Sequence, residues 1–185
     1  MDSLTDNAIM LKVKSGDLDK MALLFQRYHR PLYGFLFQMT SQKEASEDMV
    51  QNVFYRMLKS RHTFTGEGEF KTWMYHLARN VLKDHFKKNK QGGNHYDAAE
   101  FEEKISGGIP ADEQFEKKME LKVLRQAIAN LSAESREVLV LSRYQDLKYF
   151  EIAQILDISV GAVKVRIHRA VGQLKTMFMQ TESKN

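Results

Sequence analysis

Apolar residues recur three and four positions apart in three segments of the first half of the chain, which predicts three amphipathic helices. The first covers residues 20–39. Ser41 followed by Glu44 has the spacing of a capping box and predicts that the second helix starts there. The third follows a break at the glycines of residues 66–69. The predicted buried stripes are Met21, Leu24, Phe25, Tyr28, Leu32, Phe35, Leu36 and Met39; Ala45, Met49, Val50, Val53, Phe54, Met57 and Leu58; and Phe70, Trp73, Met74, Leu77, Ala78, Val81, Leu82 and Phe86.

The periodicity stops between residues 91 and 116, where glycine pairs and acidic side chains predominate. This composition is typical of a flexible tether. The period resumes after it, and Ser132 is placed to cap a further helix. We therefore predict an all-α fold of two small helical domains, residues 1–90 and 117–185, joined by a flexible acidic linker over residues 91–116.

The last sixty residues contain two helical patterns separated by a short turn. The first runs from Tyr149 to Leu156, and Ser159 is placed to cap the second. Two short helices with such a turn predict a helix-turn-helix. On the second helix the predicted inward face is Val160, Val163, Ile167, Ala170, Val171 and Leu174, and the predicted outward face is Gly161, Val165, His168, Arg169 and Gly172, flanked by Ala162 and Lys164. A slim, basic outer face is what a helix needs to enter the major groove of DNA.

Composition and charge narrow the class of partner. The chain is 43% hydrophobic and 28% charged, enough for a buried core, and the lack of cysteine excludes a disulfide scaffold and a thiolate zinc site. Residues 1–90 carry 15 basic and 10 acidic side chains, residues 91–120 carry 3 and 8, and residues 121–185 carry 10 and 6. Two basic lobes around an acidic middle favour a polyanionic partner, nucleic acid first.

The segment 64–80 combines a glycine-rich loop with aromatic and basic residues, and more lysines follow it. Aromatic faces beside cations are the ingredients of single-strand binding. The helical spacing of Phe70, Trp73 and Leu77 instead favours a place in the core. Asn80 and the loop residues lie off that stripe and are the better candidates for contact.

Catalysis finds little support in the sequence. The six histidines show no metal-ligand spacing on a shared helix face, and no glycine-lysine phosphate loop is present. We therefore predict that the protein is not an enzyme and that it binds neither a cofactor nor a metal. The amino terminus does not read as a secretory signal and no stretch has membrane-spanning length, so we expect a cytoplasmic protein without membrane insertion.

Taken together, the two halves resemble the extracytoplasmic-function (ECF) sigma factors of bacterial RNA polymerase, over about residues 8–88 and 120–178. The motifs that carry the resemblance are Asp48-Met-Val-Gln-Asn-Val-Phe54, Phe70-Lys-Thr-Trp-Met-Tyr-His-Leu-Ala-Arg-Asn80, Glu151-Ile-Ala-Gln-Ile-Leu156 and Val160-Gly-Ala-Val-Lys-Val-Arg-Ile-His-Arg-Ala170.

The resemblance implies a two-domain initiation factor that binds core RNA polymerase and two promoter elements and helps to open the duplex. It implies polymerase contacts by Asp48, Gln51, Asn52 and Phe54. It implies contacts to a flipped base and phosphates of the minus-ten element by Thr65, Gly66, Glu67, Asn80, Lys83, Lys87 and Lys88. It implies contacts to the duplex minus-thirty-five element by Lys164, Val165, Arg166, His168 and Arg169. We further expect a monomer when free and an anti-sigma factor as a partner.

The chain departs from the family pattern at two places. Ala162 and Val165 stand where a hydroxyl residue is common, which favours contact with a thymine methyl there. The tract of residues 145–148 has no glycine, although the family usually has one. Two other hypotheses are a free-standing helix-turn-helix regulator that binds duplex operator as a dimer, and a helical protein that sequesters a partner without touching nucleic acid.

Overall fold

The computed structural model describes residues 4–92 and 121–182. All regular structure in these two ranges is helical, which confirms the predicted all-α class. In the first lobe, α1 spans Asp6–Lys14, α2 Met21–Thr40, α3 Lys43–Lys59 and α4 Phe70–Gly92, with single 3-10 turns at Leu18–Lys20 and Arg61–Thr63. In the second lobe, α5 covers residues 121–129, α6 spans Ala133–Arg143, α7 Tyr149–Leu156 and α8 Val160–Glu182. Most of the predicted linker, from residue 93 on, lies outside the described residues.

Helix α1 is an element that the periodicity analysis missed. Thr5 begins it, because the Thr5 hydroxyl accepts a hydrogen bond from the Ala8 backbone N–H at 3.2 Å. Ile9, Met10 and Val13 are completely buried. The signal was present in the spacing of these three apolar residues, but nine residues make too short a pattern to stand out.

The junction between α2 and α3 corrects the predicted capping box. Ser41 adopts a left-handed conformation, with φ 56°, and terminates α2 through a bond from its N–H to the Phe37 carbonyl. Helix α3 begins only at Lys43, after Gln42. A residue that terminates one helix in the left-handed region cannot also serve as the extended N-cap of the next. The predicted N-cap was therefore wrong by one residue, since Gln42 holds that position.

Most members of the predicted apolar stripes are buried or partly buried, and four are exposed. Phe25 is 43% exposed, Phe86 41%, Val160 38% and Val171 44%. They lie at the edges of their stripes, or near an end of their helix, where the packing surface no longer covers them. The hydrophobic face of α8 is therefore narrower than predicted and centres on Val163, Ile167 and Ala170, which are buried.

The two lobes pack against each other and share one continuous cluster of buried apolar residues. Helices α4 and α7 meet across the boundary, as do α2 and α6. The Tyr75 hydroxyl donates to Gln145 Oε1 at 2.5 Å, and Arg79 Nε lies 2.9 Å from Glu137 Oε1. Burial raises the pKa of the Tyr75 hydroxyl above its ordinary range. The side of α4 that carries Tyr75 and Arg79 therefore faces the second lobe.

Candidate promoter and polymerase interfaces

The helix-turn-helix forms as predicted. Helix α7 ends at Leu156, and the next residue, Asp157, takes the left-handed conformation with φ 57°. Ser159 then caps α8 by accepting a bond from the Ala162 N–H at 3.1 Å. Before α7, Asp146 has φ 52°, the conformation that glycine adopts most easily. An aspartate therefore makes the turn in the tract where the family usually has a glycine.

The outward face of α8 is free for contact over its first three turns. Lys164, Val165, His168 and Arg169 are all exposed, whereas the neighbouring Val163 and Ile167 are buried. Gly161, also exposed, keeps the amino-terminal end of this face slim. The fifth predicted residue, Arg166, lies at the edge of the face and approaches Glu134 of α6 with its Nη2 3.5 Å from Oε2. Four of the five residues thus form one basic surface, and Arg166 flanks it.

The glycine-rich loop presents its tip to solvent. The side chains of Thr65 and Glu67 are exposed, and the Thr65 hydroxyl accepts a bond from the Glu67 N–H at 3.3 Å. Gly66 between them has φ 81°, and a Cβ there would lie 3.3 Å from the Leu11 methyl carbons. Both the backbone conformation and the space therefore favour glycine at this position.

Helix α4 runs without a break from the loop to the lysines. Trp73, Asn80 and Lys87 are spaced by seven residues and so lie on one face of it. Asn80 is half-buried, and Lys83, Lys87 and Lys88 are exposed. The ten residues from Phe70 to Asn80 correspond to a rise of about 15 Å along α4. The predicted minus-ten residues thus form a track along α4, from the loop at its amino end to the lysines.

The predicted core residues of α4 differ in burial. Phe70 is 1% exposed and packs against Tyr28 and Phe64, with ring centroids 5.3 Å and 6.2 Å apart. Trp73 and Leu77 are only partly buried, and the Trp73 indole N–H donates to the Thr63 hydroxyl at 3.3 Å. Phe70 is therefore a core residue, whereas Trp73 both packs on the core and borders the loop.

Three of the four predicted polymerase residues lie on the surface of α3. Asp48, Gln51 and Asn52 are exposed. Phe54 is 6% exposed and packs against the Phe25 ring with centroids 4.9 Å apart, so its side chain belongs to the core and is not available for surface contact. Sequence reasoning missed Tyr55, which is 62% exposed on the same face. An aromatic residue outside the apolar stripe of its helix was the signal that could have found it.

A groove of about 550 Å³ lies between α3 and α4. It brings the predicted polymerase residues Asp48 and Asn52 together with the predicted phosphate contacts Lys87 and Lys88. Arg56 crosses it, donating to Asn52 Oδ1 at 3.1 Å and to Asp84 Oδ2 at 2.7 Å, and this bond lowers the pKa of the Asp84 carboxyl. The groove therefore carries both signs of charge, with the lysines on its α4 wall.

Within residues 4–92 and 121–182 no group of three or more histidine, aspartate or glutamate side chains is arranged to hold a metal ion. None of the helices in these ranges has the length and apolar character required to cross a bilayer.

The fold and the exposed basic helix define a two-lobed helical protein of the helix-turn-helix DNA-binding class. The family model Sigma-70 region 2 matches residues 24–92, and the model Sigma-70, region 4 matches residues 121–174. The ECF RNA polymerase sigma-E factor of Haemophilus influenzae is 30% identical over 177 residues, which are 91% of this chain and 93% of that protein. SigX of Bacillus subtilis is 31% identical over 159 residues, 83% of this chain and 80% of the relative. The chain therefore belongs to the ECF family of RNA polymerase sigma factors, which are transcription initiation factors.

Two solved structures share the fold. CnrH in complex with the cytosolic domain of CnrY superposes with a TM-score of 0.73 at 21% identity, covering 95% of this chain and 97% of the other. The sigma factor RpoE in complex with the anti-sigma factor NepR from Bartonella quintana superposes with a TM-score of 0.72 at 20% identity, covering 85% of this chain and 96% of the other. Both confirm the helical architecture predicted from the sequence.

Proposed function

We propose that this protein directs core RNA polymerase to promoters that carry two separate elements, and that it helps to open the duplex at the second. The observation that carries the proposal is the exposed face of α8 on a correctly capped helix-turn-helix, with Lys164, His168 and Arg169 pointing away from the core. The protein acts as a binding subunit and not as an enzyme, and it works in the cytoplasm beside the polymerase.

In this proposal α8 enters the major groove of the minus-thirty-five element. Lys164 and Arg169 supply donors to phosphates or purine edges, and the exposed Val165 side chain contacts a thymine methyl. Arg166 contacts the backbone from the edge of the face, in exchange for its approach to Glu134. The domain that carries this function is residues 117–185.

The first domain, residues 1–90, binds the minus-ten element along the track on α4. The loop tip at Thr65, Gly66 and Glu67 captures one unpaired base, and Asn80 contacts a second nucleotide further along the strand. Lys83, Lys87 and Lys88, all exposed, hold phosphates at the far end. Residues 91–116 connect the domains.

Core polymerase binds the outer face of α3 in the proposal. Asp48, Gln51 and Asn52 give it hydrogen-bonding groups, and Tyr55 gives it a large exposed aromatic side chain of the kind that is enriched at interface hot spots. The relatives in the two solved structures are bound to partner proteins, one of them named as an anti-sigma factor. An anti-sigma factor is accordingly proposed as a regulator here, acting on a sigma factor that is monomeric when free.

In vitro transcription from a fragmented genomic library tests the proposal, using core polymerase with and without the protein and mapping transcript starts. We expect starts that require the protein and share two upstream elements at constant spacing. Arg169→Ala should reduce them about tenfold, the loss of one good contact. The matched control is Arg143→Ala, which removes an exposed arginine at the end of α6, off the proposed face.

Protein-dependent starts that are unaffected by Arg169→Ala would contradict the role of α8. No protein-dependent starts, together with tight binding of duplex DNA by a dimer of the protein alone, would establish the free-standing regulator instead.

A further inference from the structure

Helix α1 holds the glycine-rich loop from a distant part of the chain. Asn7 Nδ2 donates to the Gly68 carbonyl at 2.9 Å and lies 3.5 Å from the Gly66 carbonyl. Asn7 Oδ1 accepts from the Phe70 N–H at 2.8 Å and so caps the amino end of α4. One side chain thus binds the loop backbone and the start of the helix that follows it.

Two further residues of α1 contact the same loop. Lys14 Nζ donates to the Phe64 carbonyl at 2.6 Å. The Leu11 side chain lies against Gly66, with its methyl carbons 3.3 Å from where a Cβ would stand. Asn7, Leu11 and Lys14 are spaced by four and three residues and therefore share one face of α1. This face therefore contacts the loop at Phe64, at Gly66 and at Gly68.

Helix α1 is itself firmly attached to α2. Ile9, Met10 and Val13 are completely buried on its other side. The Asp6 carboxylate pairs with Arg27 at 2.6 Å and accepts a hydrogen bond from the Tyr28 hydroxyl. Because α1 is buried on one side and bonded to α2, its bonds to the loop carbonyls connect the loop to the domain core.

We infer that Asn7 and Lys14 are positioning residues that hold the loop backbone in the shape with which Thr65, Gly66 and Glu67 meet an unpaired base of the promoter. The inference rests on the proposed function of that loop. Both side chains bind backbone groups, Lys14 at Phe64 and Asn7 at Gly66, Gly68 and Phe70. The side chains of Thr65 and Glu67 remain exposed between these contacts. They also precede residue 24, where the match to the region 2 family model begins.

Asn7→Asp separates positioning from folding. Aspartate keeps an acceptor for the Phe70 N–H, and its charge suits the amino end of a helix, but it has no donor for the Gly68 carbonyl. Lys14→Met removes the other contact while preserving the aliphatic stem. Lys12→Met is the matched control, since Lys12 is exposed on the same helix and carries the same charge.

The first readout uses Trp73, the only tryptophan in the chain. Its ring lies 5.3 Å from that of Phe64, and its N–H bonds to Thr63, so it reports on the start of the loop. In the free full-length protein we expect Lys14→Met to increase acrylamide quenching of Trp73 fluorescence, with Lys12→Met unchanged. Quenching that stays at the wild-type value in Lys14→Met would overturn the inference without reference to transcription.

The second readout is base discrimination in the holoenzyme. On promoters mapped by the transcription experiment, opening is compared between the preferred and substituted bases at the captured position. We expect Asn7→Asp and Lys14→Met each to reduce discrimination about fivefold, the worth of one hydrogen bond, while docking on the duplex minus-thirty-five element is unchanged. A residue that served only stability would reduce both steps together.

The outcomes separate the positioning role from the sigma function. Wild-type discrimination in both variants, with wild-type transcription intact, would overturn the positioning role and leave the sigma function standing. An equal loss in Lys12→Met would reveal a general charge effect and overturn it as well. Absence of protein-dependent starts with the wild type would remove the proposed function and the positioning role with it.

Discussion

Arg136 binds four backbone carbonyls, and its replacement by methionine is expected to be among the most damaging single changes to stability. Its guanidinium donates to the carbonyls of Ile128 at 3.1 Å, Ala129 at 2.5 Å and Leu131 at 3.1 Å, at the end of α5. Its Nη1 donates to the Met39 carbonyl at 3.2 Å, in the last turn of α2. One cation thus serves the carboxyl ends of two helices, one in each lobe.

The magnitude follows from these contacts. A hydrogen bond from a charged donor contributes about 1.5–3 kcal/mol, and a cation at a helix carboxyl end about 0.5 kcal/mol more. Two effects reduce this sum. Burial disfavours the charged guanidinium and lowers the pKa of Arg136. In the variant, water can hydrate some of the carbonyls that Arg136 has left. We expect Arg136→Met to reduce the free energy of unfolding by about 3 kcal/mol, a large part of the stability of a domain.

Urea unfolding followed by far-ultraviolet circular dichroism measures the loss. Arg143→Met on the same helix, an exposed position, should change the free energy by less than about 0.5 kcal/mol. Arg136→Lys should recover only part of the loss, because one ammonium group cannot reach four carbonyls spread around a planar fork. A loss below about 1 kcal/mol in Arg136→Met would refute the argument that these bonds anchor the two helix ends.

Three further perturbations test other parts of the structure. Gly66→Ala should cost about 1–2 kcal/mol because of its positive φ, and Gly68→Ala, in open space, much less; equal shifts in thermal denaturation would contradict this. Burial and Lys88 lower the pKa of His85, so the folded state binds its proton less readily than the unfolded state, whose histidine pKa is about 6.5. The free energy of unfolding should therefore fall as pH drops below about 6.5, and His85→Gln should remove that part of the slope in pH-dependent urea titrations. A double-mutant cycle of Arg79→Met and Glu137→Gln should give a coupling of about 1–3 kcal/mol, since both side chains are largely buried; additivity would show that the pair contributes nothing to the packing of the lobes.

Local patterns predicted most of the helices and the face that α8 turns outward. Helical periodicity depends on residues three and four apart, so the helices that the chain forms as α2, α3, α4 and α8 could be recognised from the sequence alone. The caps at Ser132 and Ser159 were also predicted, because a capping hydroxyl bonds to an N–H only three residues away.

Local sequence signals failed in three situations: where one residue could end one helix or begin the next, where burial depends on the opposite surface, and where a periodic pattern is short. Ser41 had the right type for an N-cap but terminates α2 in the left-handed conformation instead. Phe54 and Phe25 both belong to predicted stripes, yet Phe25 is 43% exposed and Phe54 6%, because coverage depends on what lies opposite. Helix α1 is nine residues long and gave too few periodic positions to be seen.

The amino-acid sequence by itself determined the helices, the helix-turn-helix and the basic character of both lobes, since these depend on residue type and on neighbours within one or two turns. Only the tertiary structure decided how the lobes pack through Arg79 and Glu137, and that Asn7 reaches Gly68 across 61 residues of chain. The physical reason is that such contacts depend on the relative placement of whole helices. That placement results from the sum of many buried side chains and is not encoded by any short motif.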